Sequence, residues 1–282
     1  ALRGDLRKQG DIAPRRFLRL VAGAEPVEFT NGSGRKELAK AVTDRNNPLT
    51  SRVIVNRIWM HHFGRALVTS PSNFGTLGQE PSHPELLDWL ASELMDNDWS
   101  IKTLHKTIMM SSTYRQQSRF REAEFAIDGD NKYLWRMSPR RMTIESWRDA
   151  LLQATGELDW RLHGTSHRDI ANARQRTIYA ASSRSGEAFP SDTFLRLFDF
   201  PVMRATIAQR PSSTVPQQFL FLMNSGFMIQ RANHFVDHLH RHSTENSERI
   251  EQAYRVLYAR QPTEEEINLG VSFLEASAGS DD

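Results

Sequence analysis

Ser82-His83-Pro84-Glu85-Leu86-Leu87-Asp88-Trp89-Leu90 reads as a helix start running into an apolar stripe. Ser82 can cap. Pro84 suits the first turn, where its missing N–H would find no partner anyway, and Glu85 completes a capping box. Leu86, Leu87, Trp89, Leu90 and Leu94 then recur at helical spacing to about residue 95. Ser100 starts the next helix, with Ile101, Leu104, Ile108 and Met109 inward, ending near residue 114.

The same grammar extends outward. Residues 35–44 form a helix that Asn46-Asn47-Pro48 stops. Residues 50–62 form another, with Val53, Ile54, Ile58, Trp59 and Phe63 near helical spacing and Gly64 as the stop. Ala66-Leu67-Val68 reads as a short extended piece. Downstream, residues 118–130 read as a surface loop and 143–158 as a helix. Residues 161–175 show little periodicity and are expected to be mobile. Thr177-Ile178-Tyr179-Ala180-Ala181 is the best strand candidate. A short helix covers 191–198. The longest helical pattern runs from 214 to 238, with Asn224-Ser225-Gly226 interrupting it. A helix over 247–258 follows, and Thr263-Glu264-Glu265-Glu266 is a second capping box that starts the last one. Pro14, Pro26 and Asn31-Gly32-Ser33-Gly34 break any pattern before residue 35. The expected fold is therefore mainly α: a lead-in over 1–34 from a preceding domain, then a single multi-helix domain over 35–282 with one or two short strands.

Composition sets bounds. The 282 residues suffice for one large domain or two small ones. No apolar run approaches the roughly 20 residues that a membrane-spanning helix needs. The start, Ala1-Leu2-Arg3-Gly4-Asp5, and the end, Ser280-Asp281-Asp282, read as cuts within a longer chain. Cysteine is absent, which excludes disulfides, thiolate metal sites, covalent haem attachment and a Cys nucleophile within this segment. The net charge is +2, yet 30 of the 36 basic residues are Arg. Arg forks bind carboxylate, phosphate or sulfate; the competing reading is internal pairing with the 34 acidic residues, which balance the charge.

Several constellations could carry chemistry. His61 and His62 are neighbours on a helix, about 100° apart, so they cannot grip one metal together. With Asn56, Arg57 and Arg65 they could line a polar pocket, and either could serve in acid–base chemistry. His234, His238 and His242 fall at i, i+4 spacing on one face, the sole metal-like geometry. Phe235 stands where His-Glu-x-x-His would need Glu, so the favoured reading is a solvated polar face with no metal. Arg136, Arg140, Arg141 and Arg148 interleave with Trp135, Trp147, Glu145 and Asp149. They read either as an Arg–carboxylate network pinning helices or as an anion site with Trp as a stacking face; Arg184 and Asp199 could complete such a site. Thr214 before Pro216 reads as a helix cap. Gln217 and Gln218 then sit in the first turn, where amides could hold an anion or a sugar hydroxyl. No P-loop, dinucleotide fingerprint, nucleophile elbow, EF-hand or nucleic-acid-reading motif is present.

Asn47-Pro48-Leu49-Thr50-Ser51-Arg52-Val53-Ile54-Val55-Asn56-Arg57-Ile58-Trp59-Met60-His61-His62-Phe63-Gly64-Arg65 resembles the signature of the planctomycete-associated domain of unknown function fifteen-fifty-three. Asn73-Phe74-Gly75-Thr76-Leu77-Gly78, the Ser82 stretch, Ser112-Thr113-Tyr114-Arg115-Gln116, Leu134-Trp135-Arg136-Met137 and Arg140-Arg141 continue the resemblance in order. So do Glu145 with Arg148-Asp149-Ala150, Phe198-Asp199-Phe200-Pro201, Thr214-Val215-Pro216-Gln217-Gln218 and Tyr258-Ala259-Arg260-Gln261-Pro262-Thr263-Glu264; even Arg3-Gly4-Asp5 is similar to the family's lead-in. The resemblance implies the C-terminal domain of an exported, cytochrome-c-like multidomain protein, with haem c elsewhere in the parent and none here. It implies an extracytoplasmic setting, periplasmic or cell-surface, and no established activity. The family is usually Ala- and Leu-rich after Asn224, where this chain carries His234, His238, His240 and His242.

The leading expectation is a domain that binds an anionic ligand, a glycan or a partner domain through an Arg/His/Asn-lined cleft. Its ligand residues would be Asn56, Arg57, Arg65, Asn73, Arg140, Arg141, Arg148, Gln217 and Gln218. The balance leans away from an enzyme. The alternatives are a hydrolase or lyase on acidic polysaccharide, with His61, His62, Glu145 and Asp149 as catalytic candidates, and a purely structural scaffold for adjacent domains. Nucleic acid and a membrane span are not expected.

Overall fold

A computed structural model describes residues 7, 10, 13–25, 27–185, 187 and 189–278. Arg3-Gly4-Asp5, Pro26 and Ser280-Asp281-Asp282 lie outside the described residues. The chain is mainly α and divides into two compact units that meet in sequence at Arg140/Arg141.

The first unit holds α1 (Arg19–Ala22), α2 (Arg35–Val42), α3 (Thr50–Phe63), α4 (Pro84–Asp96), α5 (Ile101–Met110), α6 (Ser112–Arg115) and α7 (Glu122–Ile127). Its core is the packing of α3 on α4, with α5 against them. Val55, Trp59 and Phe63 recur every four residues on one face of α3, and Trp59 stacks on Phe63 with ring centroids 4.1 Å apart. Leu87, Leu90, Ala91 and Leu94 come from α4, and Leu104 and Ile108 from α5. The buried face of α3 is thus centred on Val55, while Ile54 and Ile58 pack at its edge and Val53 is half-buried. Trp89, Ile101 and Met109 are exposed, contrary to the expected stripes, because each lies on the solvent flank of its helix. Helix spacing selects a face but does not fix its width.

Backbone pairing explains the segments between the helices. Gly64 ends α3 at φ 79°, its N–H on Met60 O, as a left-handed cap should. The buried 66–68 segment is not a strand. Asn56, fully buried, donates from Nδ2 to Val68 O (3.0 Å) and accepts from Val68 N–H (2.8 Å). One side chain therefore supplies the backbone partners that a neighbouring strand would otherwise provide. Ser100 caps α5 through Thr103 N–H. Ser82 does not cap α4: His83 is the N-cap residue, and the Ser82 hydroxyl lies 2.9 Å from its ring nitrogen. Residues 118–130 are not all loop, because Glu122 and Glu124 favour the first turn of the short α7.

The second unit holds α8 (Ile144–Ala154), α9 (Pro190–Arg196), α10 (Pro216–Asn224), α11 (Gly226–His242), α12 (Asn246–Tyr258) and α13 (Glu264–Ala278). Ile144, Ile170, Phe194 and Leu195 form its core with Trp147, Phe198, Phe221 and Phe227 packed around them. Ser225 ends α10 and caps α11, its hydroxyl accepting from Met228 N–H, so the expected interruption is a clean corner. At α13, Thr263 and Glu266 exchange side-chain and backbone bonds, the reciprocal box read from the sequence. At α10 the cap is Val215, not Thr214, and the Gln218 side chain accepts from its N–H. Residues 161–175 lack helix but include Ile170, which is fully buried.

The expected strand is absent. Thr177–Tyr179 is one turn of 3₁₀ helix, and among the described residues β-pairing is limited to isolated bridges: Arg16 with Glu28, Asp159 with Gln175, His167 with Ala180. The reason lies in α8. Thr177 N–H and hydroxyl both donate to the Asp149 carboxylate (2.7 and 2.6 Å), so side chains satisfy what a sheet neighbour would have paired. Also among the described residues, no helix is long and apolar enough to cross a membrane.

Leu94 is 1% exposed at the α3–α4 contact, and truncation there leaves a cavity that the packed helices cannot close. Leu94→Ala is expected to cost about 2–5 kcal/mol in a denaturant titration, against under about 0.5 kcal/mol for exposed Leu269→Ala.

Candidate functional site

The second unit carries a half-open cleft of about 720 Å³ beside α8. Glu145, Ser146, Asp149 and Gln153 line it from one helix face, the i, i+4 register bringing both carboxylates to the same wall. Trp160, Arg176, Ile178, Phe200 and Met203 also line it.

The carboxylates are held by different partners. Arg210 reaches Glu145 with a two-pronged bond, 2.7 and 2.9 Å, while its guanidinium lies over the Phe200 ring. Burial pushes the Glu145 carboxyl up, but Arg210 and the hydrogen bonds of the helix start outweigh it, so the group titrates below its ordinary range. Glu145 is therefore an ionised acceptor, unsuited to giving up a proton near neutral pH. Asp149 Oδ1 takes both Thr177 donors, and Asp149 Oδ2 lies 3.5 Å from Arg176 Nε.

Arg148 lies beneath this wall with no solvent exposure. It donates to Gln175 O (3.0 Å), Thr177 Oγ1 (3.1 Å) and Ala173 O. Its nearest carboxylate, Asp149, is 3.6 Å away. Burial lowers its pKa to about 10, partly offset by Asp149, and it stays charged at neutral pH. Arg148 is thus a structural clamp on residues 173–177 rather than an exposed ligand group.

The other sequence candidates are dispersed between the two units. In the first, Asn56 is fully engaged with Val68. Arg57 and His61 are exposed. Arg65 donates to Asp130 O (3.3 Å), and Asn73 makes a turn bond to Gly75 N–H. Arg140 donates to His61 O and its chain packs against Gly64. His62 is half-buried, its Nε2 2.7 Å from His105 Nδ1 and its ring edge-on to Tyr114. Burial lowers the His62 pKa, with His105, Arg140 and His61 adding to the effect. In the second unit, Arg141 bonds Ser213 O and Gln218 Oε1. Gln218 is buried and also donates to Leu197 O, so its side chain is anchored within the fold; Gln217 is exposed. Trp147 stacks in the core on Phe198, and Trp135 is covered by Arg136 and Arg121. Asp199 is taken by Ser213, and Arg184 offers its carbonyl to Arg204. His234 turns to Glu157 (3.3 Å), which pairs at 2.8 Å with buried Arg231. His238 stacks with His242. Among the described residues no three His, Asp or Glu side chains come together in a group that could hold a metal.

Of the candidates read from sequence, then, Glu145 and Asp149 line the cleft. Trp160, Arg176, Phe200 and Arg210 were missed. Trp160 had a signal, a lone aromatic in a polar, aperiodic stretch; Arg210 had none, being 65 residues from its partner.

Two pH effects follow. His62 binds its proton more weakly folded than unfolded, so stability is full above the ordinary value of 6.5 and falls as pH drops below it. His62→Gln is expected to flatten that slope in melting curves of the first unit. Glu145 has the opposite origin but the same direction: its contribution is present above its ordinary 4.5 and is lost as pH falls through its depressed folded value. Glu145→Gln should cost about 1 kcal/mol at neutral pH, and its melting temperature should converge on that of the unaltered chain in acid.

Arg148→Ala strips donors from two buried carbonyls and a hydroxyl, and is expected to cost about 3 kcal/mol or more in denaturant unfolding.

No curated protein and no solved structure matches this chain. Residues 34–274 match the family described as Protein of unknown function (DUF1553). The match begins at the N-cap glycine of α2 and ends within α13, taking in the cleft and both cores. A match over so much of the sequence makes the chain a member of that family.

Proposed function

We propose that this chain is a binding domain that takes a glycan in the cleft of its second unit. The observation that carries the reading is the composition of that cleft: hydrogen-bonding side chains of α8 line about 720 Å³ together with an exposed Trp160 and Phe200. Carbohydrate sites need both kinds of surface. Hydroxyls want fixed acceptors such as a carboxylate, and the C–H face of a pyranose wants an aromatic plane. Asp149 offers an acceptor already oriented by Thr177, so little ordering is required on binding. The Arg/His/Asn cleft expected from sequence gives way here to a carboxylate–aromatic one, because Asn56, Arg141, Arg148 and Gln218 serve the fold.

The paired carboxylates favour a second reading, a hydrolase or lyase on acidic polysaccharide, in which Glu145 and Asp149 would act as bases or charge stabilisers. Under the setting that the family resemblance implies, either activity would operate outside the cytoplasm, beside further domains of a parent protein that could carry haem c.

A thermal-shift series with neutral and acidic oligosaccharides tests the reading. A ligand that binds the native state raises the melting temperature, by the equivalent of about 2.7 kcal/mol at a hundredfold excess over Kd. The rise is expected with at least one glycan and should shrink in Trp160→Ala. A flat response to every glycan would overturn glycan binding.

A further inference from the structure

We infer that the cleft is selective for an acidic sugar, its carboxylate or sulfate held by Arg176 while its ring lies on Trp160. This rests on the glycan reading of the cleft and specifies the ligand.

The placement follows from backbone register. Asp159 and Gln175 form a parallel bridge, with Asp159 N–H on Arg174 O at 2.9 Å. In parallel pairing the next residues along each segment stand abreast and turn to the same side. Those residues are Trp160 and Arg176, and both line the cleft. Their base is fixed. Gln175 is held through its carbonyl by Arg148 and through its side chain by His167 (2.6 Å), and Asp159 chelates Arg161.

Both side chains are available. Trp160 is 61% exposed. Arg176 is 46% exposed, and its charged contact is the 3.5 Å approach of Nε to Asp149 Oδ2. Among the described residues its two terminal nitrogens have no partner. The other guanidinium groups around the cleft are engaged, Arg210 with Glu145 and Arg148 with buried carbonyls. Arg176 thus leans on Asp149 through Nε and presents its terminal nitrogens at this wall, with the planar donor geometry that a carboxylate or sulfate accepts in two-pronged fashion. Asp149 Oδ2 beside it can take a sugar hydroxyl.

The charge pattern separates a sugar from a nucleic acid strand, which would also stack on Trp160. A phosphodiester carries a charge at every nucleotide, and the carboxylates Glu145 and Asp149 would oppose the next phosphate along the strand. Among the described residues lining the cleft Arg176 is the one guanidinium, beside these two carboxylates, which fits a ring with one acidic group.

Titration calorimetry on the full chain distinguishes these. The probes are the methyl glycoside of galacturonic acid, the same glycoside with its carboxylate reduced to the alcohol, and a single-stranded oligonucleotide, each at low and moderate salt. The expected result is about tenfold or greater preference for the acidic sugar at low salt, narrowing as salt screens the pair. Arg176→Gln should abolish the preference and leave the neutral affinity in place. Arg176→Lys should restore part of it, and Trp160→Ala should weaken both sugars. Both positions are solvent-exposed, and circular dichroism checks that each variant is folded. Equal affinity for the two sugars with no effect of Arg176→Gln overturns the charge assignment while leaving the glycan cleft standing. Binding of neither sugar overturns both. Preference for the oligonucleotide overturns the sugar assignment.

Discussion

The second unit depends on a buried guanidinium. Arg148 of α8 has no exposure and its nearest carboxylate, Asp149, stays 3.6 Å away, so its hydrogen bonds go to the carbonyls of Ala173 and Gln175 and the hydroxyl of Thr177. Its neighbour Asp149 takes the N–H and hydroxyl of Thr177. Consecutive residues of one helix therefore hold acceptors and donors of the same short segment. A charge so deep needs acceptors for its donors; the two terminal nitrogens find them while Nε has none, and that need dictates the path of residues 173–177. The bridge to Asp159, the 3₁₀ turn and the wall of the cleft all follow from that path.

The first unit solves the same problem with a neutral group. Asn56 is the buried partner of Val68, and the chain leaving α3 is fastened to that helix by a side-chain amide. In both units a polar side chain inside the structure supplies what a neighbouring strand would have supplied. This is how non-helical segments such as those at Val68 and Thr177 find backbone partners in a chain that remains mainly α.

That substitution also marks where sequence reading works. Helix starts are local events: Ser100, Thr143 and the Thr263–Glu266 pair each act within three residues, and all are legible. The interruption at Asn224-Ser225-Gly226 is legible for the same reason. Thr177 is not, because its apolar, β-branched surroundings suggest a strand while its partner Asp149 lies 28 residues away. The cleft divides likewise. Glu145 and Asp149 share a face by helix geometry and can be read together, whereas Trp160 and Arg176 meet through a bridge between two aperiodic segments. The Arg enrichment was visible, but whether a given Arg is clamp or exposed fork is decided by contacts far apart in sequence, as Arg148 and Arg176 illustrate.

The scarcity of β-pairing has a further consequence. Three single bridges are all the described residues contain, and none extends into a ladder with an open side. Protein aggregation by strand addition needs a row of unsatisfied N–H and C=O groups as a template. At Val68 and Thr177 such groups are answered by side chains of the same chain, one or two at a time, so these segments present no row on which a second molecule could build. Strand addition at these two segments would first have to strip Asn56 and Asp149 from the backbone they hold.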